Sequence, residues 1–211
     1  MKEYVIFDLD GTLIDSFGCI CRNINKTLQS FDCPICTKSQ FEEYRDKDLG
    51  ELFSFAVETT NEKVSMSQFK SIFDKMHFDD CIDGVTIIEK AKHLLENAKL
   101  KGVGIIVLTN KKQEIADKIC KNLFPIDTFD FIIGRLGEKP IKATSSICST
   151  LKKMGMDLHI IAYYGNSIID ENISKKLHVR FANINDIMEK KREFNKQSLH
   201  PTIRQPHAFI P

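Results

Sequence analysis

The chain has 211 residues, which is enough for one complete hydrophobic core or for a core domain with a smaller insert. Its 30 Lys and Arg residues are balanced by 29 Asp and Glu residues, so the formal net charge is +1. Domains that bind nucleic acid usually carry a basic excess, and we therefore expect no nucleic-acid partner. The sequence shows no run of about 18 apolar residues and no signal-peptide pattern, so we expect a cytoplasmic protein with no membrane association.

A short apolar run, Tyr4–Phe7, precedes the motif Asp8–Leu13, which reads Asp-Leu-Asp-Gly-Thr-Leu. An apolar run of this length bounded by Gly is typical of a buried strand. Open α/β sheets bind ligands at the carboxyl ends of their strands, so Asp8 and Asp10 would project into that crevice. Two carboxylates packed at a strand end are unfavourable unless a cation lies between them. The motif therefore indicates a cation-dependent site, with a surface Asp-Gly turn as the alternative.

Between Asp15 and Asp83 only helical periodicity is present. A structureless loop of this length would be unusual, so we expect this segment to form its own small helical domain. The predicted domains are an α/β core made of residues 1–15 and 84–190, and an all-helical cap at residues 16–83.

Seven cysteines are an odd number, and no export signal accompanies them, so we expect no disulfide framework. Cys33 and Cys36 have the spacing of a redox or metal-binding pair, and Cys19 and Cys21 lie nearby in the sequence. A Cys-x-Cys pair within helical periodicity matches no common zinc spacing. Ordinary reduced thiols are the favoured interpretation, with redox or metal sensing as the alternative.

Four further runs are continuously apolar, as expected of parallel strands that are buried on both faces. These runs lie at residues 103–108, 129–133, 160–164 and 179–182. Segments with helical periodicity separate them, at residues 87–98, 115–123 and 143–154. The alternation predicts an α/β fold with a Rossmann-like parallel sheet and right-handed crossovers. Residues 191–211 are predicted to be a C-terminal tail, either disordered or packed on a neighbour.

Polar residues follow two of these runs, where their side chains would meet those of the first motif. Thr109 and Asn110 precede a helix, and a hydroxyl together with backbone N–H groups at a helix start forms a natural phosphate site. An ordinary N-cap is the alternative for this pair. Lys139, in Gly-Glu-Lys-Pro, could neutralise both Asp8 and a bound phosphate, or it could be a solvated loop residue.

Four segments in this order resemble the motifs of the haloacid dehalogenase-like hydrolases, a superfamily made up mostly of phosphatases. The segments are Asp8–Leu13, Thr109-Asn110, Lys139-Pro140 and Gly165–Asp170. The chain looks most like the phosphoglycolate phosphatase-like branch, whose members carry a helical cap. The resemblance implies a Mg²⁺-dependent phosphatase acting on a small phosphorylated metabolite. The second Asp of the first motif favours phosphate chemistry over carbon–halogen cleavage.

The resemblance also implies a role for each motif residue. Asp8 would be the nucleophile that forms an aspartyl-phosphate, Asp10 the general acid and base, and Lys139 the catalytic cation. The implied substrate-binding residues are Thr109, Asn110, Gly11 and Arg45, although a solvated charged surface is the alternative for Arg45. The implied ligands of Mg²⁺ are Asp8, the Asp10 carbonyl, Asn166 and Asp170.

Asn166 is the main departure from the resembling motif, which typically has Asp at this position. An Asn carbonyl can bind Mg²⁺ but carries no charge, so we expect a working but weaker metal site. Alternatively, Asp170 moves in as a ligand, or catalysis is impaired. A phosphomutase of the same fold and a catalytically impaired binding or regulatory homologue therefore remain as alternatives to a phosphatase. We expect a monomer or a homodimer.

Overall fold

The computed structural model describes residues 2–45, 47, 49–61, 63–137, 141–142 and 159–187. The described helices are α1 (Phe17–Ser30), α2 (Lys38–Glu42), α3 (Leu49–Glu58), α4 (Met66–Asp80), α5 (Glu89–Leu100), α6 (Gln113–Leu123) and α7 (Ile168–Leu177). The described strands are β1 (Glu3–Phe7), β2 (Ile14–Asp15), β3 (Thr86–Ile87), β4 (Gly104–Lys112), β5 (Phe131–Arg135), β6 (His159–Gly165) and β7 (Arg180–Asn183). The predicted helix at 143–154 and the predicted tail at 191–211 lie outside the described residues.

Five strands form a parallel sheet in the order β5-β4-β1-β6-β7. The central strand β1 pairs with β4 and β6, so that Ile6 lies opposite both Ile106 and Tyr163. The strand order reverses beside β1, and sheets of this kind bind ligands in the crevice at such a point. The predicted α/β fold with a Rossmann-like parallel sheet is confirmed.

Both faces of the sheet are covered, which explains the continuously apolar strands. Successive residues of a strand point to opposite faces, and both Ile6 and Phe7 are fully buried. Phe7 belongs to an apolar cluster that includes Val107, on one face. Ile6 belongs to a second cluster that includes Tyr163, on the other. Burial on both faces fixes β1, and with it the position of the motif that follows.

Helices α1 to α4 lie between β2 and β3 in the sequence, and we call residues 17–80 the helical insert. They share an apolar cluster of their own, whose members include Ile24, Leu28, Phe53 and Phe69. The short antiparallel pair β2–β3 joins the two ends of the insert to the sheet domain. The division of the chain into domains stays a prediction.

Two lysines that lie outside the helical insert, Lys112 of β4 and Lys118 of α6, contact α4. Lys112 Nζ lies 2.6 Å from Asp74 Oδ2. Lys118 Nζ donates to the carbonyl oxygens of Phe78, at 2.6 Å, and Asp79, at 3.1 Å. These carbonyls belong to the last turn of α4, where a positive charge is favourable.

The six described cysteines are buried and free. Burial raises the pKa of the Cys21 and Cys120 thiols to about 12. Thiols with such pKa values stay protonated at neutral pH, as expected of ordinary reduced cysteines. None of the described helices is long and apolar enough to span a membrane.

His77 of α4 is a buried histidine whose surroundings favour its neutral form. Its ring stacks on Phe73 with centroids 5.1 Å apart, and its Nδ1 lies 3.1 Å from Asn23 Nδ2. Burial, with a smaller contribution from Lys111, lowers the pKa of His77 to about 3.

We expect acid to destabilise the fold through His77. Because its folded pKa lies below the unfolded one, its contribution to stability is full above about pH 6.5 and is lost as the pH falls towards 3. Between pH 7 and pH 5 the native chain should lose up to about 2 kcal/mol more free energy of unfolding than a His77→Gln variant. Urea denaturation at both pH values measures this difference. Equal losses in the two proteins would contradict the neutral state of His77.

Candidate active site

Asp8 directly follows the central strand and lies almost fully buried at its carboxyl end. Its N–H donates to the Tyr164 carbonyl of β6 at 2.9 Å, which continues the ladder beyond β1. Its Oδ1 accepts the N–H of Leu9 at 2.7 Å. The sheet therefore fixes the backbone of Asp8, and the turn that follows fixes one of its carboxylate oxygens.

Lys142 places a buried ammonium group between two carboxylates. Its Nζ lies 2.6 Å from Asp8 Oδ1 and 2.6 Å from Asp170 Oδ1. Its backbone N–H donates to Asn110 Oδ1 at 3.0 Å, so the backbone at residue 142 is tied to the end of β4. Burial alone would lower the pKa of Lys142, but Asp8 and Asp170 together raise it, and the ammonium stays charged.

Asp170 is completely buried at the start of α7 and accepts four hydrogen bonds. Its Oδ1 accepts from Lys142 Nζ and from the Tyr163 hydroxyl, at 2.6 and 2.8 Å. Its Oδ2 accepts from the Ser167 N–H and hydroxyl. Burial would raise the pKa of Asp170, but Lys142 and the hydroxyl donors hold it below its ordinary value. Asp170 could bind a metal ion only if one of these donors moved.

Asp10, the second acid of the motif, has its own ammonium partner. Lys111 Nζ lies 3.1 Å from Asp10 Oδ1, and the Ser16 hydroxyl donates to the same oxygen. Burial would raise the pKa of Asp10, but Lys111 and Ser16 outweigh it and lower the pKa. Asp10 is therefore a carboxylate in this arrangement.

The side chains at this edge of the sheet carry more negative than positive charge, which favours binding of a further cation. Three carboxylates, those of Asp8, Asp10 and Asp170, share the two ammonium groups. Burial raises the pKa of Asp8 to about 7, with Lys142 opposing and Asp170 adding to the effect. In the described ranges, no three His, Cys, Asp or Glu side chains form a metal site by themselves, so amide and main-chain oxygens would have to complete one. Such oxygen donors suit Mg²⁺.

Asn166 comes close to the first motif because Gly11 has no side chain. Gly11 has a φ of +71°, in the region that favours glycine, and a Cβ on it would lie 2.1 Å from Asn166 Nδ2. The predicted metal ligand Asn166 is thus brought to the turn that holds Asp8 and Asp10. Gly11, predicted to bind substrate, makes the room for it.

Thr109 and Asn110 lie within β4, which extends to Lys112, and α6 starts only at Gln113. The apolar run ends at Leu108, so the polar end of this strand was not recognisable from its pattern. Thr109 is buried, and its Oγ1 accepts the N–H of Lys111 at 3.1 Å. Both predicted phosphate-binding residues therefore also position the two lysines, Thr109 through Lys111 and Asn110 through Lys142.

Arg45 lies where the helical insert joins β2. Its guanidinium donates to both carboxylate oxygens of Glu42, at 2.7 and 2.9 Å. It also lies 3.7 Å from Asp15 Oδ2 and stacks over the Phe17 ring at 4.4 Å. The contacts described for Arg45 do not include the residues around Asp8.

Among the described residues Lys142 is the lysine beside Asp8, whereas the sequence predicts Lys139 for that place. Lys139 lies outside the described residues, and its role stays a prediction. Lys142 follows three residues later in the segment Lys-Pro-Ile-Lys. The presence of a second lysine in this segment was the sequence feature that could have indicated Lys142 as a partner of Asp8. Lys111 was also missed, although it follows Thr109-Asn110 directly.

We expect loss of Lys142 to destabilise the fold strongly, because two buried carboxylates would lose their shared counter-charge. Lys142→Met should lower the free energy of unfolding by about 3–5 kcal/mol at pH 7. Urea denaturation of this variant and of a matched Lys139→Met variant measures the difference. A larger loss in the Lys139 variant would show that Lys139 is the counter-charge instead.

The chain is similar in sequence to proteins of one known family. The model of the haloacid dehalogenase-like hydrolases matches residues 5–184. Phosphoglycolate phosphatase of Aquifex aeolicus (strain VF5) is 28% identical over 184 residues, which cover 84% of this chain and 82% of that protein.

Solved structures share the fold. A predicted phosphoglycolate phosphatase from Haemophilus somnus superposes with a TM-score of 0.64 at 20% identity, covering 90% of this chain and 98% of that one. Protein tyrosine kinase A of Mycobacterium tuberculosis superposes with a TM-score of 0.70 at 18% identity, covering 86% and 83%. At such identities a structure shows the fold alone. The predicted family is confirmed by the match to residues 5–184: the chain belongs to the haloacid dehalogenase-like hydrolases.

Proposed function

We propose that the protein is a Mg²⁺-dependent phosphatase that hydrolyses small phosphate monoesters through an aspartyl-phosphate on Asp8. Family membership and the similarity to a phosphoglycolate phosphatase support a phosphoric monoester hydrolase. The observation that carries the proposal is the Asp8 carboxylate at the sheet edge, with the Lys142 ammonium 2.6 Å away. A carboxylate can attack an anionic phosphate only where positive charge shields both groups.

In the first step, an Asp8 carboxylate oxygen forms a bond to phosphorus while the bond to the leaving oxygen breaks. Lys142 stabilises the charge on the transferring group. Asp10 takes up a proton from solvent before the first step and gives it to the leaving oxygen, and in the second step it takes one from the water that hydrolyses the aspartyl-phosphate. Lys111 and Ser16 hold one oxygen of Asp10, which leaves the other for these proton transfers.

The Asp8 carboxylate, the Asp10 carbonyl and the Asn166 amide oxygen would hold Mg²⁺, and Asp170 would join them only after releasing a donor. When bound, the ion supplies positive charge for the approach of the two anions. Thr109, Asn110 and the backbone around Gly11 are the proposed phosphate contacts. Arg45 would reach substrate only after leaving Glu42 and Asp15. A cytoplasmic location and a monomeric or homodimeric state stay predictions.

Asn166 is the observation that favours the alternative of a binding or regulatory protein with impaired turnover. It contributes no negative charge to the proposed ion site, whereas a carboxylate there would. A phosphatase and an impaired homologue would bind the phosphate ester in the same way. Only the rate of turnover would distinguish them. A phosphomutase would transfer the phosphoryl group to another position of the substrate instead of releasing phosphate.

Replacing Asp8 with Asn should remove the nucleophile without changing its size. We expect phosphate release from p-nitrophenyl phosphate with millimolar Mg²⁺ to fall by about a thousandfold or more in Asp8→Asn. Colorimetric phosphate detection with the native chain and the variant measures the loss. Undiminished release by the variant would exclude Asp8 as nucleophile.

Replacing Asn166 with Asp should add the missing negative charge in the same space. We expect the affinity for Mg²⁺, measured by calorimetric titration, to rise about tenfold in Asn166→Asp. Asn122→Asp, an exposed substitution on α6, is the control for added charge. An unchanged affinity would exclude residue 166 as a ligand. Turnover that arises only in the Asn166 variant would identify the native chain as an impaired homologue.

A further inference from the structure

Tyr163 is a polar residue in the middle of an otherwise apolar layer. It lies on β6 opposite Ile6, and its side chain is 0% exposed. The residues around it on this face of the sheet include Ile106, Leu108 and Ile173. Packing alone would favour an aliphatic or Phe side chain here, since a buried hydroxyl is unfavourable unless it forms a hydrogen bond.

The hydroxyl of Tyr163 forms that bond with Asp170. It donates to Asp170 Oδ1 at 2.8 Å. The same oxygen accepts from Lys142 Nζ at 2.6 Å, and this ammonium is also 2.6 Å from Asp8 Oδ1. Burial raises the pKa of Tyr163 well above its ordinary value, so the hydroxyl keeps its proton and remains a donor.

Both oxygens of Asp170 are therefore fixed, one by Tyr163 and the other by Ser167. Fixing both oxygens restricts rotation of the carboxylate about its last side-chain bond. A lysine side chain has four rotatable carbon–carbon bonds and can place its ammonium in many positions. The fixed Oδ1 of Asp170 selects the one position of Lys142 that touches Asp8.

We propose that Tyr163 is a positioning residue for the reaction, which acts through Asp170 to hold the Lys142 ammonium on Asp8. The inference rests on the proposed phosphatase function. Tyr163 has no role in binding substrate in this scheme. When the phosphoryl group moves to Asp8, Lys142 must stay beside it, and the contact with a fixed Asp170 keeps it there.

The proposal is tested by comparing two tyrosine variants on the same strand. Tyr163→Phe should lower kcat for p-nitrophenyl phosphate about tenfold, because a hydrogen bond to a charged group is lost, and should leave KM within about twofold. Tyr164→Phe is the matched control, since Tyr164 points to the opposite face and stacks on Phe7 with centroids 4.7 Å apart. It should keep kcat within about twofold of the native value. Circular dichroism checks that both variants are folded.

An unchanged kcat in folded Tyr163→Phe, with the native chain active, would overturn this inference and leave the proposed function standing. A change confined to KM would also overturn it. A native chain without Mg²⁺-dependent phosphate release would overturn both proposals together. Incorporating 4-aminophenylalanine at position 163 restores a donor at the same place and should recover most of kcat, whereas a failure to recover it would attribute the loss to packing.

The path through Asp170 is tested in a second background. In Asp170→Asn, the additional Tyr163→Phe change should alter the remaining kcat by less than about twofold, because its effect requires the carboxylate. A further tenfold loss in that background would show that Tyr163 acts by another route.

Discussion

One buried ammonium shared by two buried carboxylates is the constraint on which the rest of this site depends. Lys142, Asp8 and Asp170 come from three different segments, and each is almost completely removed from water. Without Lys142, the two carboxylates would be buried beside each other with no counter-charge. The end of β1, the start of α7 and residue 142 are therefore held together by charge as well as by packing.

The end of β4 connects this constraint to the helical insert. Its last residues hold three different parts of the molecule: Asn110 holds the backbone of Lys142, Lys111 holds Asp10, and Lys112 holds Asp74 of α4. A strand end is rigid, so these contacts keep fixed distances from one another. Movement of the insert would therefore act first on Lys112. This residue is next to Lys111, which is the partner of Asp10.

Much of the fold could be predicted from the sequence, because burial on both faces of a parallel sheet leaves continuous apolar runs. Asp8 and Asp10 were recognisable for a related reason, since they follow such a run directly. The lysines were not, because they belong to no periodic pattern in the sequence, and only the path of the chain decides whether Lys139 or Lys142 meets Asp8. Tyr163 was hidden in an apolar run, where its hydroxyl gives no pattern.

Gly11 and Asn166 come from distant segments of the chain, and the side chain of Asn166 occupies the space that a side chain at position 11 would need. A side chain at position 11 would collide with the amide of residue 166, and the positive φ of Gly11 disfavours one independently. We expect the two positions to covary among related chains, with bulk gained at one only where it is lost at the other. Because Asn and Asp have the same shape, the charge of this site can change over evolution by a single substitution at position 166, without any adjustment of the backbone around it.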